Sequence, residues 1–457
     1  MTDSSIRSEH NATARRRIAL ATLAGTTLEW YDFFLYGTAA ALIFNKQFFP
    51  SLSPSAGTLA AFGTFAVGFI ARPLGGLVFG HFGDRIGRKA TLVVSLVLMG
   101  LGSTLIGLIP NYAAIGIWAP VLLIVMRIIQ GIGLGGEGAG ATLLSMEHAP
   151  DGKRNLYAGF PQMGTPAGLI LANTIFLTTS AVLPDAAFTA WGWRIPFLLS
   201  IVLVAIGLIV RLGITESPSF TDVVVRGEVA RFPLVESLRV GTVRLALTLC
   251  AVVANSAVAY VFMVFTLSYG TQKLDYDKQF LIVCVMVAAA LWFAMIPFWT
   301  AVADRYGRRN MFIGGSVALL AWCAVFLPLL NTGNRTLAVL AFVGMGLAVP
   351  ITHCVQGGII ADTFPAHVRY SGTSLILQLG AIFGGGLAPT VSTALLNSTG
   401  SSSGVTWYLI ALCSISLLGA VALFRKVPET PNDLPFAVPE NCVASATTDS
   451  APSVGTP

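Results

Sequence analysis

Apolar positions along this 457-residue chain run on without alternating, in windows near 18–43, 57–80, 90–109, 115–142, 156–181, 194–213, 244–269, 280–302, 311–330, 336–361, 371–396 and 405–424. Each window holds about 20 residues or more, enough for a helix to cross about 30 Å of hydrocarbon. Continuous runs, as opposed to alternating segments of about ten residues, favour helices over a barrel. The pattern predicts twelve transmembrane helices. The longest polar stretch, Thr215 to Val243, falls between the sixth and seventh and divides the chain into halves. The expected organisation is a tail over 1–17, a six-helix bundle over 18–214, a central loop over 215–243, a second six-helix bundle over 244–425 and a disordered tail over 426–457. That last segment is rich in Pro, Ser and Thr and lacks heptads.

Composition agrees with the pattern. The chain is 55% hydrophobic and 11% charged with a mean hydropathy of +0.77, far from the quarter charged of soluble proteins. Lys and Arg sort by loop. With the N-terminus inside, one side collects twenty, among them Arg15, Arg16, Arg17, Arg85, Arg88, Lys89, Arg308 and Arg309; the other has Lys46, Arg194, Lys273, Lys278 and Arg335. That asymmetry predicts both termini in the cytoplasm. The net charge of +6 then implies an anionic lipid surface as partner; no basic stripe with interleaved aromatics suggests nucleic acid. The first apolar run has no small-residue cleavage site and carries Glu29 and Asp32, so an uncleaved first helix is expected. Six cysteines without C-x-x-C spacing read as core filler, and no metal or cofactor is expected. No Ser/His/Asp spacing, H-E-x-x-H or P-loop supports an enzyme or an ATP-driven pump.

Two internal matches indicate duplication. Asp84 to Lys89 (DRIGRK) returns as Asp304 to Arg309 (DRYGRR), offset by 220; Pro150 and Arg154 return as Pro365 and Arg369, offset by 215. A parallel repeat in a membrane chain points to a transporter of two six-helix bundles with its site between them, near the midplane.

Ionisable residues inside the spans are few, and each costs about 2.5–3.5 kcal/mol on insertion scales. They are Glu29, Asp32, Arg72, Arg127, Glu137 and His353. Glu29 and Asp32, spaced i, i+3, share a face of the first helix and are expected to pair with Arg72 and Arg127. Such carboxylates suit proton coupling, their protonation answering to burial and a nearby cation; a purely structural ion pair is the other reading. Either arginine offers a fork to a substrate carboxylate, favouring an organic anion over a betaine. Further candidates for substrate contact are Tyr31, Tyr36, Gln162, Asn255, Tyr260, His353 and Gln378, any of which could instead make an interhelical hydrogen bond. His353 is also a candidate proton relay.

The loop motif G-x-x-x-D-R-x-G-R-K at Gly80, Asp84, Arg85, Gly87, Arg88 and Lys89 resembles that of the major facilitator superfamily. With it stand LEWYDFFLYG (Leu28 to Gly37), ARPLGG (Ala71 to Gly76), RIIQGIGLGGEGAG (Arg127 to Gly140), WGWRIPF (Trp191 to Phe197) and TESPSF (Thr215 to Phe220). Together they resemble the metabolite:H+ symporter family, which contains shikimate, α-ketoglutarate and proline/betaine transporters. The second loop copy departs from the motif, with Thr300 at the leading glycine. The resemblance implies an all-α major facilitator fold and a proton-coupled symporter of the bacterial inner membrane. It would act as a monomer, importing a small organic acid of the shikimate, dicarboxylate or aromatic class by alternating access. The alternatives are a proline/betaine symporter and a drug/H+ antiporter. It also implies that Asp84 and Arg88, with Arg85, Asp304, Arg305, Arg308 and Glu137, latch the cytoplasmic side; a tight glycine turn with topology-setting charge is the other reading of the same residues.

Overall fold

Backbone N–H and C=O groups have no water to bond in hydrocarbon, so a chain this apolar must satisfy them within helices. The computed structural model describes residues 2–76, 78–79, 88–135, 145, 149, 153–212, 242–364 and 369–426. Among these every regular element is helical, and twelve are long. They are α1 (Thr2–Leu42), α2 (Pro54–Gly76), α3 (Arg88–Leu108), α4 (Trp118–Gly135), α5 (Arg154–Val182) and α6 (Arg194–Leu212) in the first half. In the second half are α7 (Thr242–Gln272), α8 (Lys278–Tyr306), α9 (Arg308–Leu330), α10 (Arg335–Thr363), α11 (369–399) and α12 (Ser403–Lys426).

Each expected apolar window overlaps one of these helices; positions 77, 80, 136–142 and 213 of the windows lie outside the described residues. Among the described residues nine helices are long and apolar enough to span, and α6 joins them with the short helix before it, bent by 51° at the Gly192–Arg194 break. The remaining two are diluted by polar residues: the apolar part of α3 is Val93–Leu108, and α1 carries Glu29 and Asp32 in mid-run. The segment 2–17, expected as a tail, continues α1 as helix. The central loop, the C-terminal tail and the first loop motif lie outside the described residues, apart from Thr242, Lys426 and the helical backbone of Arg88 and Lys89.

Helix packing reproduces the duplication read from the loops. In the first half α1 packs on α5 and α6, α2 on α4, and α3 on α4 and α6. In the second, α7 packs on α11 and α12, α8 on α10, and α9 on α10 and α12. The seam between halves follows the same rule with partners exchanged, α5 against α8 and α2 against α11. Among the described residues there are three π-helical turns, a feature that recurs at functional sites. Two of them, Val261–Phe265 in α7 and Ala381–Gly386 in α11, lie on the seam, where Gly385 and Gly386 back directly onto Tyr260 and Phe69.

Candidate functional site

The site grows from the crossing of α2 and α4. A Cβ at Gly131 would run into the Gly68 carbonyl, so only glycine lets these two backbones touch. A Cβ at Gly68 would in turn strike the guanidinium of Arg127. The close crossing therefore sets two arginines among aromatic rings. Arg72 lies 4.4 Å from the centre of the Phe33 ring, 4.3 Å from Phe69 and 5.9 Å from Trp30. Arg127 lies 4.0 Å from Tyr36, 4.8 Å from Phe33 and 5.4 Å from Phe65. Cation–π attraction, about 2 kcal/mol or more when desolvated, offsets part of the cost of burying each charge.

The two arginines differ in what they have left to offer. Arg127 is fully buried; its Nη1 donates to Gln130 Oε1 at 2.9 Å and its Nη2 to the Phe65 carbonyl at 3.4 Å, which leaves Nε alone without a hydrogen-bond partner among the described residues. Arg72 keeps both Nε and Nη2 without a hydrogen-bond partner among the described residues. It stands within electrostatic reach of Glu29 on α1 and of Tyr260 on α7, whose hydroxyl also lacks a partner among them. Tyr260 lies with its ring 5.4 Å from Phe69 and 5.6 Å from Phe65, so this pairing crosses the seam.

The expected direct pairing of Asp32 with an arginine is corrected by the structure. Asp32 makes no ion pair among the described residues; it accepts from Ser200 on α6 at 2.8 Å and is also reached by the Ser103 hydroxyl on α3. Ser103 accepts from Gln130 Nε2 at 2.6 Å, and Gln130 Oε1 accepts from Arg127. The charges are thus joined by an oriented chain, Arg127 to Gln130 to Ser103 to Asp32, in which every link donates toward the carboxylate. Gln130 sits three residues after Arg127 on the same helix face, a spacing visible in the sequence. Nothing in the sequence singled out Ser103 or Ser200.

Tyr31 and Tyr36 spend their hydroxyls inside the first half: Tyr31 donates to the Pro196 carbonyl at 2.7 Å, and Tyr36 shares a 2.6 Å bond with Thr64. Both are fully buried. Across the seam, Asn255 Nδ2 donates to Thr352 Oγ1 at 2.6 Å and to the Val349 carbonyl at 3.3 Å, and Asn255 Oδ1 lies 3.2 Å from His353 Nδ1. His353 meets Trp292 edge to face at 4.9 Å, and the backbone of Gln162 on α5 faces its ring. Gln378 reaches the Gly135 carbonyl of α4 at 3.5 Å. Trp292 and Thr352 were not singled out by the sequence.

The halves touch at both ends. At the end expected to be cytoplasmic, Asp304 accepts from the backbone N–H of Asn155 at 3.3 Å and from its side-chain amide at 2.7 Å. This carboxylate sits at the N-terminus of α5, where the helix dipole favours an anion. Arg308 pairs with Asp362 of its own half at 2.6 Å, and Arg305 lies over its neighbour Tyr306. The second loop motif is thereby divided between a bridge and an anchor. At the opposite end Gln272 donates to Thr58 at 3.1 Å, and Lys278 stands 3.9 Å from Asp185 and 4.8 Å from the centre of the Phe188 ring. Gly80, Asp84, Arg85, Gly87 and Glu137 lie outside the described residues, as does the side chain of Arg88.

Comparison with known proteins places these features. The family model described as Major Facilitator Superfamily matches residues 22–382. The inner membrane metabolite transport protein YhjE of Escherichia coli K12 is 40% identical over 411 residues, covering 89% of this chain and 93% of its own. The shikimate transporter of the same organism is 39% identical over 416 residues, covering 89% and 94%. A proline/betaine transporter of Salmonella typhimurium is 34% identical over 427 residues, covering 90% and 83%. Among solved structures, the proton:xylose symporter XylE bound to 6-bromo-6-deoxy-D-glucose superposes with a TM-score of 0.72 at 16% identity, covering 92% of this chain and 98% of that one, a likeness of fold. The chain is a multi-pass membrane transporter that belongs to the Major Facilitator Superfamily.

Proposed function

We propose that this protein is a proton-coupled symporter that brings a small organic acid across the bacterial inner membrane by alternating access, with both termini in the cytoplasm. The observation that carries the reading is the charge cluster in the first half: Arg72 and Arg127 against Glu29 and Asp32, with two guanidinium atoms of Arg72 unpartnered among the described residues and Tyr260 of the second half within electrostatic reach. With both acids ionised the cluster is neutral and has no call on an anion. A proton on Asp32 removes one negative charge and weakens the hold of the Gln130–Ser103 chain on Arg127. The cluster then carries net positive charge in a medium of low dielectric, where an anion is strongly favoured. The carboxylate docks on the fork of Arg72, and loss of the proton on the far side restores neutrality and releases it. One proton accompanies one singly charged acid in this scheme.

The bridges at the two ends serve as alternating gates. Asp304 on the N-terminus of α5 closes the cytoplasmic side. The rings that could cage a quaternary ammonium are already covered by the two guanidinium groups, which disfavours a betaine. Uptake of labelled shikimate, α-ketoglutarate, benzoate, proline and betaine into proteoliposomes, with and without an inward proton gradient, tests the reading. Accumulation of an acid that collapses with a protonophore is the expected result. Gradient-driven uptake of the zwitterions alone contradicts it.

A further inference from the structure

The second half holds a group of polar atoms that the charge cluster leaves unused. Asn255 fixes the chemistry of His353. The Val349 carbonyl can only accept, so the amide must turn Nδ2 toward it and Oδ1 toward the ring. An acceptor at that position requires the hydrogen of the neutral imidazole to be on Nδ1. Nε2 is left with a bare lone pair, buried and without a hydrogen-bond partner among the described residues. Beside it stands the opposite deficiency. Trp292, 1% exposed, meets the imidazole edge to face at 4.9 Å, and its Nε1–H also lacks a partner among them. One turn along α10, Gln356 Oε1 is a further buried acceptor without one. These helices, α8 and α10, pack against α5 at the seam, where the Gln162 backbone faces the imidazole.

We propose that His353 and Trp292 form a hydroxyl-recognition subsite, so that the transported acid carries at least one alcohol group on the side away from its carboxylate. An alcohol both donates and accepts, matching an acceptor and a donor carried on two rings whose centres lie 4.9 Å apart. A second carboxylate would set its lone pairs against Nε2, and a quaternary ammonium would satisfy neither atom. Tyr260 lies five residues beyond Asn255 on α7, about 7.5 Å along the axis. That separates the carboxylate end from the hydroxyl end by roughly the length of a small ring acid. A water molecule has the same hydrogen-bonding chemistry as an alcohol, and the two sources are told apart by substrate preference.

This inference rests on the organic-acid reading, and the experiment separates the two. Calorimetric titration of the purified full chain compares shikimate with cyclohex-1-ene-1-carboxylate, which has the same ring without hydroxyls. The wild type is expected to bind shikimate about tenfold tighter or more, since buried polar atoms left unpaired are costly. His353→Phe lowers shikimate to the level of the hydroxyl-free acid and leaves the latter unchanged. Trp292→Phe, which keeps the ring and removes the donor, costs shikimate binding alone. Equal weakening of both acids by these variants, or a preference that survives them, overturns the subsite while the organic-acid reading stands. A wild type that binds neither acid overturns that reading and the subsite with it.

Discussion

The two halves of this transporter share one packing plan and divide the chemistry. In the first half the polar centre is ionic: Arg127 and Arg72 lie among Phe33, Phe65 and Phe69, and Arg127 is joined to Asp32 through Gln130 and Ser103. In the second it is neutral: Asn255 bonds both Thr352 and His353, and no charged residue takes part among the described residues. Duplication fixed the helices because burying the apolar faces of six helices demands the same contacts twice. It did not fix the centre, where an ion in hydrocarbon must have a matching partner within reach and a neutral group needs only a hydrogen bond. On the proposed function, the first half responds to a proton and an anion and the second discriminates among what the anion carries.

Three substitutions sharpen this contrast. Arg72→Lys keeps the charge and removes the fork and the stacking on Phe33 and Phe69. Acid binding is expected to fall about 100-fold, the loss of a charge-assisted bidentate contact, while purified protein retains its melting temperature within a few degrees. Asp304→Ala removes two hydrogen bonds across the seam. At roughly 1–3 kcal/mol for contacts to a charged acceptor, the equilibrium between gate-closed and gate-open forms shifts about tenfold, read as a change in spin-label distances between α5 and α8. Lys278→Met at the opposite end has the smallest expected effect. Asp185 is 93% exposed at its side chain, so the ion pair contributes little, and a change of about twofold in transport rate is expected, mainly from the lost contact with Phe188.

The helices were legible because twelve continuous apolar runs leave the backbone no other option, and the duplication was legible in its charged loops. The π-helical turns in α7 and α11 were not, since they follow from how Tyr260 and Phe69 pack against Gly385 and Gly386 across the seam. The ionic centre was legible as a list of rare charges, but the direct pairing expected for Asp32 was misread. Direct pairing was the short route from composition; the structure routes the charge through Gln130 and Ser103, because α3 carries Ser103 between the carboxylate on α1 and the glutamine on α4. Tyr31 and Tyr36 could not be told from ligand contacts by sequence, because their partners, Pro196 and Thr64, stand 165 and 28 residues away. Asp304 was assigned to a gate by its motif, yet its bonding partner, Asn155, had no mark in the sequence.

The account stands most directly on the carboxylate of Asp32. In proteoliposomes loaded with the acid found by the uptake panel, Asp32→Asn holds the hydrogen bond from Ser200 but can no longer gain or lose a proton. Counterflow exchange of labelled for unlabelled acid should continue at a rate within about an order of magnitude of wild type, with accumulation against a gradient abolished at every imposed proton gradient. Uphill accumulation at the wild-type level in Asp32→Asn would contradict the claim that this residue couples the proton to the acid.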